Sequence, residues 1–215
     1  MKKTAHLHFL REPVDRVPAD VVVVGFFRED RPLRGGAGRL DWRLCGQLSG
    51  MLSAGWLSGE FESAALLPGG GPIAACRVLL LGLGDRSEFT VRRAEEVTQD
   101  AVSRCLRLGA ESIALAPIGI APDDFARHSE AVIAGLSQAL LGVEADSGLD
   151  LSKSLQVRMS LTEHQMRDAK ATLPELVTRF DDPQIRIGAD SQDGGLQQMS
   201  LRGPRPLDPS HPDLS

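Results

Sequence analysis

Residues 19–84 read ADVVVVGFFREDRPLRGGAGRLDWRLCGQLSGMLSAGWLSGEFESAALLPGGGPIAACRVLLLGLG, and this stretch decides the fold. Val21 to Val24 is an unbroken β-branched run, the pattern of a strand buried on both faces. Gly35-Gly36-Ala37-Gly38 reads as a loop that needs backbone freedom or close backbone approach. Leu40, Leu44, Leu48, Met51 and Leu52 then recur at helical spacing, and Gly55 stops that helix. Ala64–Leu67 and Arg77–Leu81 read as strands, joined by a hairpin turn at Pro68-Gly69-Gly70-Gly71-Pro72.

The flanks extend the same alternation. Upstream, His6 to Leu10 reads as a first strand. Downstream, Thr90 is an N-cap for a helix with an apolar stripe at Ala94, Val97, Ala101, Cys105 and Leu108, ended by Gly109. Ser112–Ala116 is a short buried strand. Pro122 with Asp123 and Asp124 suits the start of a helix that buries Phe125, Val132, Leu136 and Leu140. Leu155, Val157, Met159 and Leu161 alternate with polar residues, which places a half-exposed strand near a sheet edge. Thr162-Glu163-His164-Gln165 is a capping-box pattern opening a helix that Pro174 kinks or breaks. From Asp181 on, the apolar period is lost. The expectation is one α/β domain over residues 1–180 and a Pro/Gly/Asp-rich disordered tail over 181–215. Its sheet is mixed but mostly parallel, with helices on both faces in three α/β/α layers.

Composition narrows the function. The 215 residues are 42% hydrophobic and 25% charged, ordinary values for a globular chain. Aromatics are only 4%, with no Tyr, and the net charge is −5. Both features weigh against nucleic acid as a partner, because neither stacking platforms nor a positive field is supplied. Cys45, Cys76 and Cys105 fall in apolar segments without a C-x-x-C, so all three read as buried thiols in a reducing compartment. No signal peptide and no membrane-length apolar run occurs, and a cytoplasmic location is expected.

The residues with a chemical reading are few. Gly35, Gly36 and Gly38 precede a helix, where backbone N–H groups can cradle a phosphate. Ile118, Gly119 and Ile120 follow another buried strand and lead into another helix. In such a sheet the two loops meet at the carboxyl ends of the strands, where ligands gather. A cleft filled there by Phe26, Phe27 or Trp42 would instead mark a scaffold. Gly82-Leu83-Gly84 lacks the rest of a dinucleotide fingerprint and reads as a strand-end turn. His6 and His8 share a strand face without a third metal ligand. No H-E-x-x-H or G-x-S-x-G pattern occurs, so no catalytic residue, metal or cofactor is expected.

Asp20-Val21-Val22-Val23, the Leu33–Asp41 segment, Leu48, Gly55, Gly59-Glu60-Phe61 and the Val78–Thr90 block together resemble the amino-terminal domain of the leucine aminopeptidase family of dimetal peptidases. The resemblance spans roughly residues 15 to 175 and implies a macrodomain-like fold. The strand, Gly loop and helix at Leu33–Gly46, with a second such unit at Ala116–Ala126, are likewise similar to the macrodomain, an ADP-ribose-binding fold. The resemblance places peptidase chemistry in a separate carboxy-terminal domain, whose segment similar to N-T-D-A-E-G-R-L has no match here. Against the macrodomain pattern, Gly25-Phe26-Phe27 stands where hydrolases of that fold carry Asn. Glu12, Asp15 and Asp20 occupy the region of an adenine-recognising acid without forming a motif. Two expectations follow. One is a non-catalytic accessory, regulatory or interaction module with a protein partner or self-association. The other is a small-ligand binder that takes ADP-ribose or another phosphate-containing molecule between the two loops.

Overall fold

Val21, Val22, Val23 and Val24 are each fully buried, because their strand has a packed layer on either side. The computed structural model describes residues 4–119, 125–143, 153–179 and 185–189. Its elements run β1 (Ala5–Leu10), β2 (Val21–Phe26), α1 (Gly35–Arg43), α2 (Gln47–Ser53), β3 (Ala64–Gly70), β4 (Ile73–Gly82) and α3 (Val91–Arg107). They continue with β5 (Ser112–Leu115), α4 (Phe125–Val143), β6 (Leu155–Ser160), α5 (Glu163–Arg179) and β7 (Ile185–Ala189).

The strands form one sheet in the order β3-β4-β2-β5-β6-β1-β7. Among the described strands only the β3–β4 pair is antiparallel; β4–β2, β2–β5, β5–β6, β6–β1 and β1–β7 are parallel. This is the mixed, mostly parallel α/β sheet expected. One face packs Leu7, Val23, Leu81 and Val157 against Val97 and Ala101 of α3, Val132 and Leu136 of α4, and Ala169 of α5. On the other face Val22, Val24 and Leu80 meet Ala37 and Leu40 of α1 and Leu48 and Leu52 of α2, with Val14 and Val17 beside them.

Local signals explain the helix ends. Thr90 caps α3 by accepting the Arg93 N–H at 3.3 Å, and Gly109 (φ +70) lets the chain leave it. Thr162 and Gln165 make the reciprocal capping box: each side chain accepts the other's backbone N–H, at 3.0 and 3.3 Å.

Several expectations are corrected. The helix drawn through Leu40–Leu52 is two helices, broken where Cys45 (φ 53) and Gly46 (φ 82) turn left-handed. β6 lies between β5 and β1, not near an edge. Its alternation arises because the second face over β6 and β1 carries no helix among the described residues, so His6, His8, Gln156 and Arg158 stay half-buried there. Ile185–Ala189, placed by the sequence in a tail, pairs with β1 as the seventh strand. α5 runs through Pro174 to Arg179 without breaking. Only Cys105 is buried; Cys45 and Cys76 are exposed.

Candidate functional site

Gly35-Gly36-Ala37-Gly38 is not a loop but the first turn of α1, a correction with a packing cause. A Cβ on Gly36 would lie 2.5 Å from the Ala116 Cβ and 3.0 Å from a Val24 methyl. One on Gly38 would lie 2.4 Å from the Leu33 carbonyl oxygen. Gly36 lets α1 sit directly on β2 and the end of β5, and Gly38 lets it close on the segment that leads into it. Gly35 alone, at φ +56 with no atom near its missing side chain, is there for backbone conformation.

The structure sets Gly36 against Ala116, two residues before Ile118, whereas Ile118 itself packs in the core cluster on the other face of the sheet from Ala37. Ile118 is buried, and Gly119 has φ +64. Ile120, with the Pro122 helix start, lies outside the described residues.

Aromatic side chains fill the strand ends beside Ile118, on the other face of the sheet from Ala37. Phe27, just after β2, is 3% exposed. Its ring meets Phe89 edge-on at 5.2 Å between centroids and 90° between planes. Phe89 in turn closes over Gly119, whose added Cβ would lie 2.3 Å from that ring. The Arg86 guanidinium caps Phe27 at 4.0 Å from the ring centroid. Asp30 holds the assembly: its carboxylate accepts the Phe27 N–H at 3.0 Å and an Arg86 N–H at 2.6 Å. Arg28 ties the same loop to the end of β4 by pairing with Asp85 and donating its backbone N–H to the Gly84 carbonyl at 3.0 Å. Phe27 is a filler the sequence points to; the roles of Asp30, Arg86 and Phe89 are not legible there, because they depend on two loops more than fifty residues apart meeting. Phe26 is also buried, whereas Trp42 is 74% exposed and fills nothing here.

Of the acids weighed for adenine recognition, Asp20 accepts the Glu111 and Ser112 N–H groups, both at 2.8 Å, and joins β2 to β5. Asp15 is 1% exposed and pairs with Arg39 and with Arg43, the latter at 3.3 Å. Arg43 also donates to the Pro72 carbonyl in the β3–β4 turn, at 3.1 and 3.2 Å. Asp15 is thus a structural anchor between α1 and the sheet, its charge already met by two guanidinium groups.

Gly82-Leu83-Gly84 is the strand-end turn expected: Leu83 is buried, and a Cβ on Gly82 would strike the Glu60 carbonyl oxygen at 2.1 Å. The His6 and His8 rings stack at 6.3 Å between centroids. Among the described residues no three His, Cys, Asp or Glu side chains converge as metal ligands. Burial pushes the Cys105 thiol up to about 12, which leaves it inert as a nucleophile. A cavity of about 310 Å3 lies apart from the glycine segments, between α3, the end of β4 and Phe61–Ser63. No helix among the described residues is long and apolar enough to cross a membrane.

Comparison with known proteins places this geometry. Residues 23–143 match the model of the cytosol aminopeptidase family, N-terminal domain. The probable cytosol aminopeptidase of Xanthomonas oryzae pv. oryzae (strain MAFF 311018) is 38% identical over 96 residues, 45% of this chain and 19% of the relative. That of Alkaliphilus metalliredigens (strain QYMF) is 26% identical over 111 residues, 52% of this chain and 22% of the relative. The chain therefore spans about a fifth of the length of these relatives. A mutant tomato leucine aminopeptidase superposes with TM-score 0.58 at 18% identity, covering 82% of this chain and 37% of that one. A Trypanosoma brucei macrodomain in complex with ADP-ribose gives TM-score 0.56 at 15% identity, covering 78% and 69%. At these identities the structural likeness speaks to the fold, which is macrodomain-like.

Proposed function

This chain belongs to the cytosol aminopeptidase family, through that family's amino-terminal domain, and on this premise we propose that it is a non-catalytic accessory or interaction module. The observation that carries the reading is the packed strand end. In open α/β sheets the crevice at the carboxyl ends of the strands is where small ligands lodge. Here Phe27, Phe89, Ile118 and the Arg86 guanidinium occupy that region. Gly36 and Gly38 are accounted for by contacts with Ala116 and Leu33 rather than by a bound anion. Two-metal peptide hydrolysis needs several converging carboxylates, and Asp15, Asp20 and Asp30 are each committed to local structure.

Calorimetric titration of the purified protein with ADP-ribose and with ADP tests the reading. No saturable heat is expected at millimolar ligand, and saturable binding would overturn it. Aminopeptidase turnover by the purified, metal-supplemented chain would do the same.

The second reading, a small-ligand binder, draws on one specific observation: the start of α1 abuts the end of β5 at Gly36 and Ala116, three residues before the left-handed Gly119. The Trypanosoma brucei macrodomains solved with ADP-ribose and with ADP share this fold. Amide shifts on adding ADP-ribose, confined to Gly35–Gly38 and Ile118–Gly119, would be its signature.

A further inference from the structure

β3 ends the sheet: it has β4 on one side and, among the described residues, nothing on the other. Which of its backbone groups face outward follows from the pairing. Gly82 donates its N–H to the Ser63 carbonyl at 2.8 Å, and Ala64 stands opposite Leu81. Hydrogen-bonding direction alternates along an antiparallel strand. Ala65 and Leu67 therefore turn their N–H and C=O groups toward β4, while Ala64, Leu66 and Pro68 turn theirs away. Pro68 fits this assignment, since a residue without an N–H takes no bond from the ladder at an outward position.

Open edges are normally guarded by charged side chains. No charged residue occurs from Ser63 to Cys76. Ala65 and Leu67 pack onto the core on the α1 side of the sheet. Ala64, Leu66 and Pro68 point to the α3 side instead, and all three are exposed, Leu66 at 45%. A row of unmet backbone groups beside an apolar strip is matched by one kind of partner, another extended chain. β7, at the far end of the sheet, differs in carrying the exposed Arg186.

We propose that β3 pairs antiparallel with β3 of a second copy, across a two-fold axis at Leu66, making one continuous sheet from two. This rests on the interaction-module reading and names its partner. Leu66 of each copy donates its N–H to the Leu66 carbonyl of the other, and the Ala64 N–H meets the Pro68 carbonyl. The two Leu66 side chains cover each other on the α3 side. Two features select a second copy over an unrelated strand. An uncharged strand laid against itself suffers no like-charge repulsion. Antiparallel self-pairing also brings the start of one β3 to the end of the other, where charges of opposite sign wait. Glu62, exposed just before the strand, is in no ion pair among the described residues, whereas its neighbour Glu60 is taken by Arg28 at 3.2 Å. At the other end Arg77 of β4 stands opposite Pro68. It donates one N–H to the Leu108 carbonyl at 3.2 Å and has no carboxylate partner among the described residues. Because the same patch serves both copies, the contact closes at a dimer.

Sedimentation equilibrium on the full chain tests this, with variants at Leu66. The wild type dimerises as concentration rises toward about 0.5 mM and forms nothing larger. Leu66→Lys and Leu66→Glu, at an exposed position outside the core, keep the far-UV circular dichroism of the wild type. Each weakens dimerisation by about tenfold or more, because like charges then meet on the axis. The decisive arm mixes the two variants: a lysine of one copy faces a glutamate of the other, and the mixture dimerises where neither does alone. Amide hydrogen exchange on the wild type reads the same contact without any substitution. The Ala64 and Leu66 amides slow as concentration rises, while those of Ala65 and Leu67 are protected throughout. A wild type that stays monomeric, a Leu66→Lys chain that dimerises normally, or a mixture that stays monomeric each overturns the proposal. So does exchange at Ala64 and Leu66 that ignores concentration. Nucleotide calorimetry is read separately: saturable ADP-ribose binding with intact dimerisation sinks the non-catalytic reading alone, and a monomeric wild type sinks the sheet contact alone.

Discussion

Gly36→Ala sets two effects of opposite sign against each other, and the structure says which prevails. Gly36 is helical, and alanine in place of glycine inside a helix stabilises by about 0.8–1.0 kcal/mol from propensity alone. Against that, the new Cβ would lie 2.5 Å from the Ala116 Cβ and 3.0 Å from a Val24 methyl, where carbon atoms prefer about 3.5–4.0 Å. The Ala116 methyl is fixed to the backbone at the end of β5 and is 3% exposed, so no rotamer change relieves the contact. Overpacking of this kind costs about 1–3 kcal/mol. With two neighbours too close and one of them immovable, the upper part of that range applies. The net expectation is a loss of about 2 kcal/mol. In urea, with a slope of about 2 kcal/mol/M, the midpoint falls by about 1 M at unchanged slope. Gly50→Ala is the control: Gly50 lies in α2 with no heavy atom within 4 Å of its missing Cβ, so propensity acts alone and stability rises by up to about 1 kcal/mol. Adding Ala116→Gly to Gly36→Ala removes the clashing methyl and restores much of the loss. If Gly36→Ala matches or exceeds the wild type, packing is not the reason for glycine there. The phosphate-cradle account of that turn would then regain its ground.

The other predictions are simpler. Thr90→Ala removes the cap that accepts the Arg93 N–H at 3.3 Å and should cost about 0.5–1 kcal/mol of unfolding free energy, a long cap bond falling low in the usual range. Asp15→Ala deletes a carboxylate that pairs with Arg39 and Arg43. Both partners are partly exposed and regain water, so chemical denaturation should show a loss of about 2 kcal/mol, near that of one charge-assisted hydrogen bond. For the thiols, a colourimetric reagent at pH 8 should titrate two groups in the native chain, Cys45 and Cys76, and the third only in denaturant. The Cys105 thiol is raised in the fold from 9.0 to about 12. Above pH about 9 the unfolded chain loses that proton first, so this group's contribution to stability is full below pH 9 and is lost as pH climbs toward 12. Stability of Cys105→Ala should lack that alkaline component.

Element type was legible wherever burial follows a local period. The four valines of β2, the α3 stripe, the Thr90 cap and the Thr162–Gln165 box all express their reasons within a few residues. What escaped reading is set by contacts at long range. Gly36 looks like a phosphate turn until Ala116 is known to lie against it. Ile185 and Ile187 are two apolar residues in a polar stretch, and they become a strand only because β1 offers an open edge some 180 residues earlier. The alternation of β6 expresses one polar face but not a place at the edge, because strand order is not written in a single strand. Cys76 sits among apolar residues, yet the first half of β4 alternates, with Ile73 and Ala75 buried and Ala74 and Cys76 exposed. The aromatic filling was hidden for the same reason: Phe27, Arg86 and Gly119 meet only after three strand ends are aligned.

The position of β1 has a consequence for synthesis. Its register joins Ala5 to Leu155 on one side and to Ile185 on the other. The sub-sheet β3-β4-β2-β5 is already specified by Leu115. β1 therefore leaves the ribosome long before the strands that seat it, and it waits with Leu7 and Phe9 unburied while about 150 further residues are made. Meanwhile the outer rim of β5 stands open, since its lasting neighbour is β6. Shortened versions that stop before Leu155 would keep both liabilities together, an orphan apolar strand and an uncovered parallel rim, and would be lost to aggregation long before any question of partner or ligand arose.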